Sequence, residues 1–193
     1  KKIVALIDDM KNGTVKDEGF VPPYSEEMFG PAAMETYFKK VTPMYCEMST
    51  PRRFLLQRAL FEKVRGTDRT EVYIEKSNSK PSRGTWFTVV SANIMPQELL
   101  QISSSILAAK GLNIGRAHLD TVLDEDQVND TNKSHVTMLR LLVDDHSLLD
   151  NEKELAKLGI LFNLANFRVM VPVEKYDQIK EIALMTFNDF QSL

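Results

Sequence analysis

Thr85-Trp86-Phe87-Thr88-Val89-Val90-Ser91-Ala92 is a β-branched and aromatic run, the composition of a strand. Pro96 then opens Gln97-Glu98-Leu99-Leu100-Gln101-Ile102-Ser103-Ser104-Ser105-Ile106-Leu107-Ala108-Ala109-Lys110, and Gly111 closes it, as a helix is opened and closed. Leu112 to Leu123 is extended again, and His135 to Asp144 is a third such run. A helix from Asn151 and a fourth strand at Arg168-Val169-Met170-Val171 complete the order βαββαβ. That order predicts an α+β, ferredoxin-like sandwich: an antiparallel sheet with a layer of helices on one face.

Period-two alternation assigns the faces of these strands. Ala117, Leu119, Thr121 and Leu123 share one side, and Arg116, His118 and Asp120 the other. Leu139, Leu141 and Val143 fall together, with Met138 and Arg140 opposite. The face bearing Arg116, His118, Asp120 and Arg140 is too polar for core, so it reads as solvated or packed on a partner. The predicted helix puts Leu99, Ile102, Ile106 and Ala109 on one stripe, and its central serines allow a neighbour to approach closely. The loop Asp124 to Lys133 is acidic and longer than a tight hairpin needs.

Upstream, Ile3, Leu6, Ile7 and Met10 recur at helical spacing, and a second helix spans Pro31 to Val41. Thr50 caps a better-signalled helix, with Pro51 in its first position and Gly66 past its end. Phe54, Leu55, Leu56, Ala59, Leu60 and Val64 form its apolar stripe, and Arg52, Arg53 and Arg58 on or beside the opposite face read as a solvated face or as a hold for an acidic partner. Glu71 to Lys76 alternates as a half-buried strand, and the Pro/Ser/Gly-rich span 78–84 reads as a linker. The expected organisation is a helical lead-in over 1–80 that ends in this strand, the sandwich over 84–172, and a C-terminal helix over 173–193.

The totals exclude several classes. A hydrophobic share of 43% supports a folded core, and a net charge of −3 with mixed signs argues against a nucleic-acid binder. One cysteine, Cys46, cannot form an internal disulfide, which points to a cytoplasmic setting, and no apolar run is long enough to span a membrane. The chain begins without methionine and reads as a piece of something longer or as an ordered core with its tails cut away. Neither G-x-G-x-x-G nor a P-loop occurs, and the three histidines and lone cysteine have no metal-ligand spacing. A His118/Asp120 pair on one strand face is the nearest thing to a catalytic constellation, and an interface or solvated pair explains it as well. No catalytic residue and no metal site is assigned. The acidic loop lacks the glycine and the final glutamate of a calcium-binding EF-hand.

The best binding signal is the turn Asn93-Ile94-Met95-Pro96-Gln97 at a helix N-terminus, whose free N–H groups suit a carboxylate. With Asn113 and Gly115 from the following corner, Asn93, Met95, Pro96 and Gln97 make an expected effector seam. Arg116, His118 and Arg140 are expected interface residues.

Val89 to Ala92, Pro96, Leu99-Leu100, Ile102, Leu107, Gly111-Leu112-Asn113-Ile114, Ala117 and Thr121 together resemble an ACT domain, the ferredoxin-like regulatory module of amino-acid metabolism. With the lead-in Tyr37 to Tyr45, the Arg52-bearing helix and Gly115-Arg116-Ala117-His118-Leu119, the region is similar to the N-terminal regulatory part of the large NAD-specific glutamate dehydrogenases. The resemblance covers roughly residues 37–144. It implies a non-catalytic regulatory or assembly segment of an enzyme that oxidises glutamate to 2-oxoglutarate and ammonia. NAD would be bound elsewhere in that polypeptide, with no cofactor in this segment. The implied partners are the rest of the polypeptide, further copies in a homo-oligomer and a small amino-acid effector, with no nucleic acid or membrane. An ACT-type sensor controlling a different enzyme, such as a nucleotidyl transferase, is the alternative. Gln97 stands where the ACT pattern has a glycine, which removes the close backbone approach a ligand would use there.

Overall fold

The computed structural model describes residues 2–15, 21–67, 69–77, 83–92, 94–123, 135–144 and 147–165. Asn93, the acidic loop, the expected fourth strand Arg168–Val171 and the expected helix over 173–193 lie outside them. The helices are α1 (Lys2–Lys11), α2 (Glu26–Phe29), α3 (Pro31–Lys40), α4 (Pro43–Met48), α5 (Pro51–Val64), α6 (Pro96–Ala109) and α7 (Glu152–Ala165). The strands are β1 (Thr70–Ser77), β2 (Gly84–Ala92), β3 (Ile114–Leu123) and β4 (His135–Val143). Among the described residues no helix is long and apolar enough to cross a membrane.

The four strands form one sheet in the order β1-β2-β4-β3, each neighbouring pair antiparallel. β2 and β3 run the same way with β4 between them, joined through α6 as a split β-α-β crossover. This part of the sheet follows the expected order.

β1 does not. It pairs with β2 along its whole length, from Thr70 opposite Ser91 to Ser77 opposite Gly84. The sheet therefore runs across the boundary expected after residue 80. It also fills the edge beside β2 where a βαββαβ order places its fourth strand. The misleading signal was chemical, because Pro, Ser and Gly mark a turn between paired strands as readily as a linker between domains.

All nine residues of β2 are buried, which requires cover on both faces of the sheet. Phe87, Val89, Leu139, Leu141 and Val143 pack with Leu99 and Leu107 of α6 and with Leu158 and Phe162 of α7. On the other face Val90, Ala92, Val136 and Met138 join the core of α1 to α5. Helices thus lie on both faces, and the lead-in forms the second layer. Each fully buried Phe, Leu or Val contributes about 1.5–3 kcal/mol. On α6 the buried residues are Leu99, Ser103 and Leu107. Ala109 of the expected stripe is exposed, and buried Ser103 has the small side chain that close packing permits.

α5 starts as expected, the Thr50 side chain accepting from the Arg53 amide at 3.3 Å with Pro51 in the first turn. Its surroundings differ from expectation. Every residue from Phe54 to Phe61 is buried, and Arg58 is only 4% exposed. Arg58 lies over the Tyr37 ring at 4.7 Å and forms an ion pair with Glu62, one helical turn on. Aromatic cover produces this burial: Tyr37, Phe38 and Tyr45 all pack on Phe54, with ring centroids 5.5, 5.1 and 5.5 Å away.

Two glycines separate steric from conformational cost. At Gly84 φ is 139°, and an added Cβ would stand 2.4 Å from the Val143 carbonyl oxygen. At Gly111 φ is 69° and such a Cβ would meet nothing within 4 Å. Gly84→Ala is expected to destabilise by about 3 kcal/mol or more, and Gly111→Ala by only about 1–2 kcal/mol. Urea melts check this through the shift in midpoint at constant slope.

Candidate functional site

The polar residues of the sheet face that α5 covers converge at one end of that helix. Strand register sets them in rows: Glu75 opposite Trp86, Trp86 opposite Leu142 and Leu142 opposite Arg116. In the next row Thr88 stands opposite Arg140, and Arg140 opposite His118. The first turn of α5 adds Arg53.

Arg140 is the centre of this cluster and is 2% exposed. Its Nη2 donates to Glu75 Oε1 at 3.3 Å, and its Nε donates to Thr88 Oγ1 at 3.4 Å. The guanidinium carbon lies 4.0 Å from the centroid of the Trp86 ring, a cation–π distance. Arg53 approaches the same ring at 5.4 Å, and the His118 ring lies 6.0 Å from it. Arg53 Nη1 also donates to the Met48 carbonyl at 3.3 Å. Arg140 Nη1 and Arg53 Nε are buried and have no hydrogen-bond partner among the described residues. A donor left so costs about 1–3 kcal/mol.

The electrostatics follow from burial and crowding of like charge. Burial and then the Arg53 charge lower the Arg140 pKa to about 9, with Glu75 opposing, so Arg140 remains charged at neutral pH. His118 is lowered by burial first, then by Arg140, Arg53 and Arg116. Burial raises the carboxyl of Asp120. Chemically the cluster offers guanidinium donors, one aromatic face and a positive potential, which suits an anion.

The expected effector seam does not assemble. Met95 caps α6 with its side chain 57% exposed, and Pro96 and Gln97 form the first turn. Asn113 and Gly115 lie past the other end of α6, across a helix of 14 residues, about 21 Å at 1.5 Å per residue. The turn before α6 is tied to the sheet instead: the Ile94 carbonyl accepts from Thr137 Oγ1 at 2.7 Å and contacts His135 Nε2 at 3.0 Å. Gly115 falls at an irregularity in the β3–β4 register, and an added Cβ would stand 2.9 Å from Asp144 Oδ1.

Of the expected interface residues, Arg116 is exposed and His118 half-buried, whereas Arg140 is enclosed. Period two placed all three on one face, but α5 covers part of that face. Trp86, Glu75 and Arg53 were not foreseen as members. The available signal was Arg140 itself, a lone charge in Val136-Thr137-Met138-Leu139-Arg140-Leu141-Leu142-Val143. Among the described residues no group of three or more His, Cys, Asp or Glu is placed to hold a metal ion. A separate apolar concavity of about 410 Å³ lies between α1 and α3, lined by Val4, Ile7, Tyr24, Phe29, Met34 and Phe38.

Compared with known proteins, the chain matches no family model, no curated protein and no solved structure.

The His118 imidazole is expected to titrate below the usual value of about 6.5. The unfolded chain then takes up this proton first as pH falls, so acid removes stability below that range and the effect vanishes above it. His118→Gln should lessen the fall in Tm between about pH 7 and about pH 5. Thermal melts across that range, with a proton NMR titration of the histidine rings, check both statements.

Proposed function

We propose that this chain is a non-catalytic regulatory and assembly segment of a large NAD-specific glutamate dehydrogenase, built on a ferredoxin-like, ACT-like unit. The observation that carries the reading is the split crossover β2–α6–β3 around β4. The residues of the ACT resemblance fall on it in order. Val89 to Ala92 lie in β2, Pro96 to Leu107 in α6, Gly111 in the turn with φ at 69°, and Ala117 and Thr121 in β3. The lead-in that adds the dehydrogenase resemblance supplies α3, α4 and α5, which pack on the second face of the same sheet.

The residues of this chain do not fit the dinucleotide. The turn from β2 into α6 reads Asn93-Ile94-Met95-Pro96 and has no glycine through which a pyrophosphate could approach the backbone. NAD and the hydride chemistry are therefore assigned to other parts of the polypeptide. This chain contributes packing surface and, through its buried charges, a site that responds to small molecules.

Expression of the whole reading frame tests the reading. The full protein is expected to reduce NAD in the presence of glutamate, while residues 1–193 alone neither bind NAD nor turn over. Removing residues 1–193 should change oligomeric state or effector response more than the hydride step. A full frame with no strand-linked G-x-G-x-x-G and no glutamate-dependent NAD reduction would sink the assignment.

A further inference from the structure

We propose that Arg53, Arg116 and Arg140, gathered around Trp86, form a binding site for the carboxylate of a small organic acid. The site does not depend on which enzyme the chain serves, and it is not the turn at Met95 that sequence reasoning favoured.

Two arginines carry the argument. Arg140 is 2% exposed yet has one nitrogen, Nη1, with no hydrogen-bond partner among the described residues. Its hydrogen bonds to Glu75 and Thr88 are long, at 3.3 and 3.4 Å. Arg53 Nε is likewise buried and unpartnered. Two unmet guanidinium donors beside one indole are a mould for a planar acceptor with two oxygens, which a carboxylate is.

Charge supports the same ligand. Arg53, Arg116 and Arg140 gather around one acidic neighbour, Glu75, and the positive end of α5 adds to the excess. An anion at Arg140 sits beside Glu75, which already accepts from Nη2, and this favours a singly charged carboxylate over a doubly charged phosphate. Arg140 lies beneath Trp86 and α5, which restricts entry to a small molecule rather than an extended chain. Arg116, which is exposed, and the half-buried Arg53 form the approach.

Trp86 is the single tryptophan of the chain, so its fluorescence reports this site alone. The full chain is titrated with acetate, pyruvate, succinate, glutamate and inorganic phosphate, against sodium chloride at matched ionic strength. At least one carboxylate is expected to give a saturable change below about 10 mM, above what chloride gives, and to bind more tightly than phosphate. Arg116→Gln, on an exposed position, should weaken it about tenfold, as loss of a charge-assisted hydrogen bond does. Arg53→Gln should do the same, with its thermal melt showing that the fold survives, while Lys63→Gln on the exposed side of α5 should change nothing. A response equal to that of chloride, tighter binding of phosphate, or unaltered affinity in both arginine variants overturns the proposal.

Discussion

Helix α5 is enclosed on nearly every side, and that enclosure governs what the rest of the molecule must do. Its residues from Phe54 to Phe61 see almost no solvent. It rests on the sheet at Val90 and Met138, α1 and α2 pack on it, and Tyr37, Phe38 and Tyr45 crowd around Phe54, with the Tyr37 hydroxyl reaching Met138. A helix so placed keeps water at little more than its last turn, where Lys63 is exposed. Its arginines must find partners inside the protein or leave donors unmet, because an isolated buried charge is far too costly to tolerate. Arg58 pairs with Glu62 and lies over the Tyr37 ring, although its Nε has no hydrogen-bond partner among the described residues. Arg53, one turn earlier, is drawn over Trp86.

The sheet meets the same demand from below. Arg140 is the one charged residue between Val136 and Val143, and the side chains that receive this charge come from two strands: Glu75 of β1, and Trp86 and Thr88 of β2. Packing and chemistry are therefore linked at one point. The helix that closes the second core also lowers the dielectric around Arg140, which strengthens each interaction an incoming anion would make there.

Much of the fold could be read from local patterns, because they depend on local physics. Thr50-Pro51 and Pro96 with Gly111 announced α5 and α6 through capping and dihedral limits, and alternation placed Arg116, His118 and Arg140 on one face. What failed needed knowledge of what lies across space. Arg58 reads as solvated until the aromatic cover is known. Span 78–84 reads as a linker until β1 and β2 are seen to pair. The effector seam is a different kind of miss. The 14 residues between Pro96 and Ala109 already put Met95 and Asn113 at opposite ends of a rod, so helix length alone could have separated them.

The β1–β2 pairing bears on how the protein can be divided. A fragment begun at residue 84 would keep the crossover β2–α6–β3, yet it would lose β1, α5 and Glu75 together. The full length of β2 would become a naked edge with open N–H and C=O groups, and Val90, Ala92 and Met138 would face water. Such an edge recruits other chains and promotes aggregation. The first 80 residues are thus not a detachable leader but part of the unit's folding minimum, and recombination or truncation near residue 80 would cut through its core.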